Sequence, residues 1–415
     1  MNKTIRLSKN TCYTILVFLA VYCSHDTLLF GTNVDNRFLL IRKAIPFLLL
    51  ICLILLKPSF RIRKTDLFIC LVLLLMPVIS CLVNGEDMNN YIYRAAVMGA
   101  ALLFLLTGEK NEFITVYNKI LYFLSIWSIG TYLLMLLSPQ VIQLFPTVMN
   151  SAGTPYFFTG FSVMNSQLHY GMVRNSGIFR EPGVFCVMLT VAMINEMVVL
   201  KSLRGKYILV YTAAMITTYS TAGYIILIGL YAYYLLIEKN VKHKGRYIFL
   251  GLVALVVIAT QTDLLSRDGA IFDKFVKGSN SYGSWLARLR SVTQSIVITL
   301  ENPMFGIGRY ALYDTVLGMT GVYRTVDNTN TILVGFAAYG ILFGILLSWG
   351  CWRFVRKNCW GILAAVTLFA VLMMAFSNED LGQNVLFYYI VFDGLCRVGG
   401  TPEAILEKNG EATKK

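Results

Sequence analysis

The chain has 415 residues, of which 57% are hydrophobic and 14% charged, against roughly 25% charged in ordinary soluble domains; this excludes a soluble globular protein. Its formal net charge is +14, and the placement of the basic residues accounts for much of that surplus without nucleic acid. Apolar runs near 11 to 30, 38 to 56, 66 to 83, 94 to 107, 114 to 137, 182 to 200, 207 to 219, 222 to 237, 247 to 260, 329 to 350, 359 to 376 and 385 to 396 predict twelve transmembrane helices in one membrane domain spanning 1 to 415.

The first run has basic residues before it and no small-residue cleavage site after it, so it reads as a retained anchor. His25 and Asp26 near its end are expected at the outer interface. Between 207 and 237 the string "TTYSTAGY" supplies the only breaker, and a tight turn is expected there. Glu196 and Asp393 fall inside runs and are candidates for pairs in the bundle interior. The tail 397 to 415 has a disordered composition.

With a cytoplasmic N-terminus, 23 Lys and Arg lie in inner segments and 4 (Arg37, Arg42, Lys43, Arg94) in short outer loops. That bias places both termini in the cytoplasm. Nine basic residues remain, in two long outer segments, 138 to 181 and 261 to 328. Long loops translocate regardless of charge, so these arginines have either lipid headgroups or an anionic ligand to meet. The nine cysteines lie in or beside apolar runs and the three histidines are far apart, so neither a disulfide framework nor a metal site is expected.

Within the first long segment "VRNSGIFREPGVF" (173 to 185) sets Arg174, Arg180 and Glu181 before a hydrophobic helix. Pro182 suits the first helical turn, Glu181 then sits near the N-cap, and Gly177 and Gly183 allow backbone to approach a bulky partner. A helix N-terminus favours anions; the alternative is a solvated cap in which Arg174 or Arg180 pairs with Glu181. In the second segment "SWLARLRSVTQSIVITLENPMFGIG" (284 to 308) has Trp285, Leu289, Val292 and Ile296 at helical spacing, then an Asn-Pro stop and a Gly-rich turn. Arg288 flanks this apolar stripe, expected to lie against the outer leaflet, while Arg290 points nearly opposite. Further on, Gly340 and Gly344 form a G-x-x-x-G read as helix packing.

The pattern R-x-x-G-x-F-x-E-P (Arg174, Gly177, Phe179, Glu181, Pro182), Arg288 fifteen residues before the Pro of "NPMFGIG", and "NTILVGFAAYGILFG" (330 to 344) resemble the O-antigen polymerase and ligase superfamily, most closely the Wzy-type polysaccharide-repeat polymerases. The resemblance extends through the helix count and both outer loops, and its specific motifs cover about 60 residues. It implies an all-α polytopic, GT-C-like membrane fold with amphipathic helices in two long periplasmic loops. It implies also a metal-independent glycosyltransferase of the bacterial inner membrane, without cofactor. Its substrates would be oligosaccharide repeats on undecaprenyl pyrophosphate, its surroundings inner-membrane lipid, and a further implied partner a chain-length regulator.

Under that resemblance Arg174, Arg180 and Arg288 are the candidates for stabilising the lipid-pyrophosphate leaving group, because guanidinium forks can replace a metal there. Arg309 and Arg324 come second, and with Gly177 and Arg290 they make up the expected substrate-binding positions. In the resembled ligases a His-Asn pair opens the helix at 329, the His being the proposed base; here Thr329 stands at the His position and Asn330 matches. Thr is no general base near neutral pH, which favours polymerase over ligase. Glu181 and Asp327 are the nearest carboxylates, each equally readable as the structural partner of an arginine. A flippase or transporter is the competing class, expected to show repeated halves and charged sites at the midplane, neither of which the sequence displays.

Overall fold

The computed structural model describes residues 8–57, 62–109, 111–151, 153–165, 173–201, 204–237, 282–312 and 329–396, with the isolated positions 245 and 249. The expected span 247 to 260 and the tail 397 to 415 lie outside the described residues. What is described is mostly helical: α1 (Lys9–Tyr22), α2 (Asn36–Leu56), α3 (Lys64–Asn84), α4 (Met88–Thr107), α5 (Glu112–Leu137) and the single turn α6 (Pro139–Ile142) come first. Then follow α7 (Pro182–Ile194), α8 (Gly205–Thr217), α9 (Thr221–Ala232), α10 (Tyr282–Glu301), α11 (Thr331–Tyr339), α12 (Ile341–Asn358), α13 (Ile362–Phe376) and α14 (Val385–Leu395). Among the described residues five helices, Arg37–Leu56, Lys64–Asn84, Met88–Thr107, Glu112–Leu137 and Pro182–Val199, are long and apolar enough to cross a membrane. The chain is therefore a helical protein suited to a bilayer.

Composition decides which helices are central. Apolar on all sides, α7 continues as a π-helical turn (Asn195–Val199) and is 94% buried over its apolar window, whereas α2 is 17% buried and turns Leu40, Ile51 and Leu55 outward. Helices α4 and α14 pack against each other beside that centre. Polar caps set the starts: Asp35 accepts from Arg37 N at 2.9 Å, Asp87 from Asn89 N at 3.2 Å, and Asn384 from Phe387 N at 3.2 Å. Between α8 and α9 the turn expected in "TTYSTAGY" is present, with Tyr219 in left-handed conformation at φ 49° and Ser220 capping α9.

Three expectations are corrected. The first apolar run does not continue to residue 30: α1 stops at Tyr22, and residues 23 to 35 fold inward around a π-helical turn, Leu28–Thr32. Next, the described part of the first long segment holds no amphipathic helix; it forms an antiparallel three-stranded sheet, β1 (Thr147–Met149), β2 (Pro155–Phe158) and β3 (Val163–Asn165), pairing Val148 with Tyr156 and Phe157 with Met164. Finally, the run 329 to 350 is two helices. Gly340 breaks it at φ 91°, where an added Cβ would lie 2.2 Å from the Met304 carbonyl oxygen.

That break has a physical partner. The last carbonyls of α11 lack helical donors, and the turn after α10 supplies them: Ile307 N donates to Ala337 O and Gly308 N to Ala338 O, each at 3.1 Å, while Ile341 N donates to Pro303 O at 2.8 Å. "NPMFGIG" and "YGILFG" are thus two halves of one interlock. Gly344 packs under the ring of Phe336, as the G-x-x-x-G reading expected, but Gly340 serves the break.

The face of α10 turned toward the protein is polar. Leu289 and Ile296 are exposed, whereas Ser291, Ser295, Ile298 and Thr299 are buried and Arg288 is half-buried on the same side. Small polar residues face the protein and the apolar stripe faces outward, the arrangement expected where the surroundings are lipid. The side chain of Trp285 lies outside the described residues.

Candidate functional site

Connections distant in sequence meet at one end of the helical bundle. Leu28 N donates to Ile178 O at 3.0 Å and Arg180 N to Asp26 O at 2.9 Å, so residues 26 to 28 and 178 to 180 run side by side. Asp26 is buried, contrary to the interface position expected for it, and accepts from the Asn384 amide at 2.5 Å. His25 receives Arg42, whose guanidinium also donates to Gly31 O at 2.8 Å. The chain thereby ties α1, α2 and α14 to the start of α7.

Arg180 occupies the middle of a carboxylate cluster. Its guanidinium lies 3.5 Å from Glu379, 3.9 Å from Glu181 and 3.9 Å from Asp26, and donates to Asp380 O at 3.3 Å. Burial opposes the charge of Arg180, but Glu379, Asp26 and their neighbours outweigh it and hold the group firmly protonated. Glu379 sits against the start of α7, where a Cβ on Gly183 would lie 2.1 Å from its Oε1. The bulky partner expected at Gly183 is therefore the chain's own carboxylate. Burial, then the charge of Glu181, raise Glu379 to about 8, against the pull of Arg180 and Arg288. Glu181 is the open member, with 52% of its side chain exposed.

Arg174 and Arg288 differ from Arg180. Arg174 Nε donates to Thr218 O at 3.0 Å, which fixes the side chain through a backbone carbonyl. Among the described residues no carboxylate lies within 4 Å of either Arg174 or Arg288. The two are close enough that, after burial, the charge of Arg288 is among the causes lowering the pKa of Arg174, with Glu181 acting in the opposite sense. Two guanidinium groups without their own counter-ions among the described residues thus stand beside Glu181 and Glu379.

A third group lies alongside. Arg309 pairs with Asp380, while its backbone N–H donates to Glu86 at 3.0 Å and to the Tyr91 hydroxyl at 2.7 Å. Burial raises the Asp380 pKa, but Arg309, Arg94, the Gly382 N–H and Arg180 together hold it below the ordinary carboxylate value. Next to this pair is a cavity of about 380 Å³ lined by Asn90, Tyr91, Arg94, Arg309, Tyr310, Tyr339 and Gln383.

Of the sequence-derived candidates, Arg174, Arg180, Glu181 and Arg288 come together, and Arg309 joins them through Asp380. Others take structural positions. Asn330 caps α11, its Oδ1 accepting from Ile332 N and Leu333 N at 3.1 and 2.9 Å. Gly177, at φ 58°, is buried in a turn with a would-be Cβ 3.2 Å from the Phe185 ring. Arg290 is exposed on the far side of α10. Arg324 and Asp327 lie outside the described residues. Sequence reading passed over Glu379 and Asp380, and it set Asp26 at the interface and Arg94 in a short outer loop, whereas Arg94 is buried within α4. A signal existed for Arg94, since the Asp87 cap starts α4 early and leaves an arginine well inside an apolar helix. Compared with models of known families, with characterised proteins and with solved structures, the chain shows no match.

Proposed function

We propose that the chain is a metal-independent glycosyltransferase of a bacterial inner membrane, a polymerase that joins undecaprenyl-pyrophosphate-linked oligosaccharide repeats on the periplasmic face. The observation that carries this reading is the Arg174 and Arg288 pair, mutually repelling, without a carboxylate partner of its own among the described residues, and beside an exposed glutamate. Like charges held together in a partly dry site favour a dianionic occupant, and a planar guanidinium matches phosphate oxygens. An acceptor hydroxyl attacks the anomeric carbon of the donor, the bond to the pyrophosphate oxygen breaks, and undecaprenyl pyrophosphate leaves with that electron pair. The hydroxyl proton passes to Glu181, the carboxylate left open; Glu379 is closed in by Arg180 and Gly183. Arg180 holds the carboxylates in place. In a ligase the pair at 329 and 330 would carry the chemistry, but Thr329 is no base and Asn330 Oδ1 is engaged as a cap.

Protein in lipid nanodiscs, supplied with lipid-linked repeats, tests this reading through chain extension. Arg174→Lys and Arg288→Lys keep charge but lose the fork, and each should slow extension at least about tenfold. Arg290→Ala, on the exposed side of α10, should stay within about twofold. Full extension in both Lys variants would remove the polymerase reading.

A further inference from the structure

The cavity beside Arg309 is left unused by the transfer chemistry. Its lining carries two guanidinium groups, three tyrosines and two amides, and no carboxylate. Arg94 forms the floor, buried, with its Cζ 5.1 Å from the centre of the Tyr339 ring and Tyr388 as a second neighbour. No carboxylate lies within 4 Å of Arg94 among the described residues. Two further buried donors, Arg309 Nη1 and the Tyr339 hydroxyl, have no hydrogen-bond partner. Buried donors are rarely left unpaired, so these two beside one cavity, with Arg94 held by the Tyr388 hydroxyl and the Tyr339 ring, mark a ligand's polar face.

Charge and size narrow the ligand. Asp380 answers Arg309 through Nη2, and Glu86 is engaged by the backbone N–H groups of Arg309 and Ala311 and by the Tyr91 hydroxyl. The wall thus presents two guanidinium groups while the two carboxylates stand behind them, a positive face without a net surplus, which suits a single carboxylate and not a pyrophosphate. The volume of 380 Å³ lies near the lower end of the range of about 300 to 1,000 Å³ for small-molecule sites. Asn90 and Tyr310, exposed and hydrogen-bonded to each other, form the rim, so the opening offers an aromatic face and amide groups. Rings with a polar edge bind amphipathic partners of this kind.

We propose that this cavity is a second binding site, for a carboxylated sugar ring of the glycan, its carboxylate meeting Arg94, Arg309 Nη1 and the Tyr339 hydroxyl, its ring lying against Tyr310. The assignment rests on the glycan reading of the substrate. It makes the enzyme selective for repeats that carry a uronic acid or a similar acidic sugar.

Binding of methyl β-glucuronide, methyl β-glucoside and inorganic pyrophosphate to the intact protein in nanodiscs, followed by saturation-transfer NMR, provides the test. The glucuronide should bind at least about tenfold more tightly than the neutral glucoside. Tyr339→Phe, which removes only the unpaired hydroxyl, and Tyr310→Ala, at the exposed rim, should each weaken the glucuronide severalfold, with the glucoside little changed by Tyr339→Phe. Equal affinity for both glycosides, or unchanged glucuronide binding in both variants, would overturn the assignment. So would pyrophosphate competing with the glucuronide in a way that Tyr339→Phe and Tyr310→Ala abolish. Chain extension unaffected by the Arg174 and Arg288 substitutions would remove the polymerase reading while leaving the glycoside result standing, so the two failures are distinguishable.

Discussion

Glu379 is where the electrostatics of the site are most finely balanced. Its pKa is raised from 4.5 to about 8, so the folded protein holds a proton that the unfolded chain releases. The stability contributed by this group is fully present below the ordinary glutamate value and is lost as pH rises through about 8. Asp380 acts oppositely: its pKa is lowered, so its contribution is present above the ordinary aspartate value and disappears on acidification. Glu379→Gln leaves Asp380 in place, so the difference between wild type and variant isolates Glu379. Thermal unfolding in detergent should show wild type losing stability relative to the variant between about pH 5 and 8, with a limiting slope on the order of 1.4 kcal/mol per pH unit. Parallel curves would show that Glu379 titrates normally. At this scale the sequence exposed the arginines better than the acids. Arg174, Arg180 and Glu181 share one short motif, so their proximity was legible, and Arg288 stood out against an apolar stripe. Asp26 and Asn384 are 358 positions apart, and only the packed bundle makes them neighbours.

At the scale of elements, hydropathy located the helices because a lipid-facing side needs continuous apolar residues whatever the neighbours do. It did not single out the residues of α10 that face the protein. Leu289 and Ile296, of the stripe expected to face outward, are exposed, while Ser291 and Ser295 are buried. In water the apolar stripe would be the packing face; beside lipid the small polar stripe permits the closer approach. A direct consequence can be measured. Ser295→Leu adds bulk to a filled interface and should destabilise by about 1 to 3 kcal/mol, whereas Leu289→Ala should change stability by no more than about 0.5 kcal/mol. Thermal stability of the two solubilised variants checks this, and the opposite ranking would make the apolar stripe the packing face. The break at Gly340 was hidden for a related reason, since "YGILFG" stays apolar through the interruption and only the docking of Pro303 to Gly308 reveals it. Strands of three and four residues, β1 to β3, are too short for alternation to register.

For the molecule as a whole, polar contacts sort the described connections into two ends. One holds residues 23 to 35, 173 to 181, 218 to 220, 302 to 312 and 377 to 384, linked through Arg174, Arg180, Arg309 and their partners. The other holds Lys57 on Leu106 O at 2.8 Å, Glu196 between Asn118 and Arg204, and Lys357 on Asp393 at 2.7 Å; Glu196 thus has the interior pair anticipated for it, whereas Lys357, the partner of Asp393, is exposed. Residues 23 to 30 and 218 to 219 excepted, which the hydropathy reading put in spans, the connections at the first end are ones that the distribution of Lys and Arg assigns outside, and those at the second are assigned inside. The contacts group the connections by end, and the proposed sidedness itself rests on loop charge. Lipid-linked repeats could reach the arginines only if that first end faces the periplasm, so topology and chemistry stand together. Reporter fusions after residues 160 and 300 should be active outside the cytoplasm, and fusions after 242 and 410 inside it. The fusion after residue 300 is the decisive one, because it follows Arg288 by less than four helical turns. Cytoplasmic activity there would place Arg288 on the inner side and exclude periplasmic transfer, whatever the remaining fusions report.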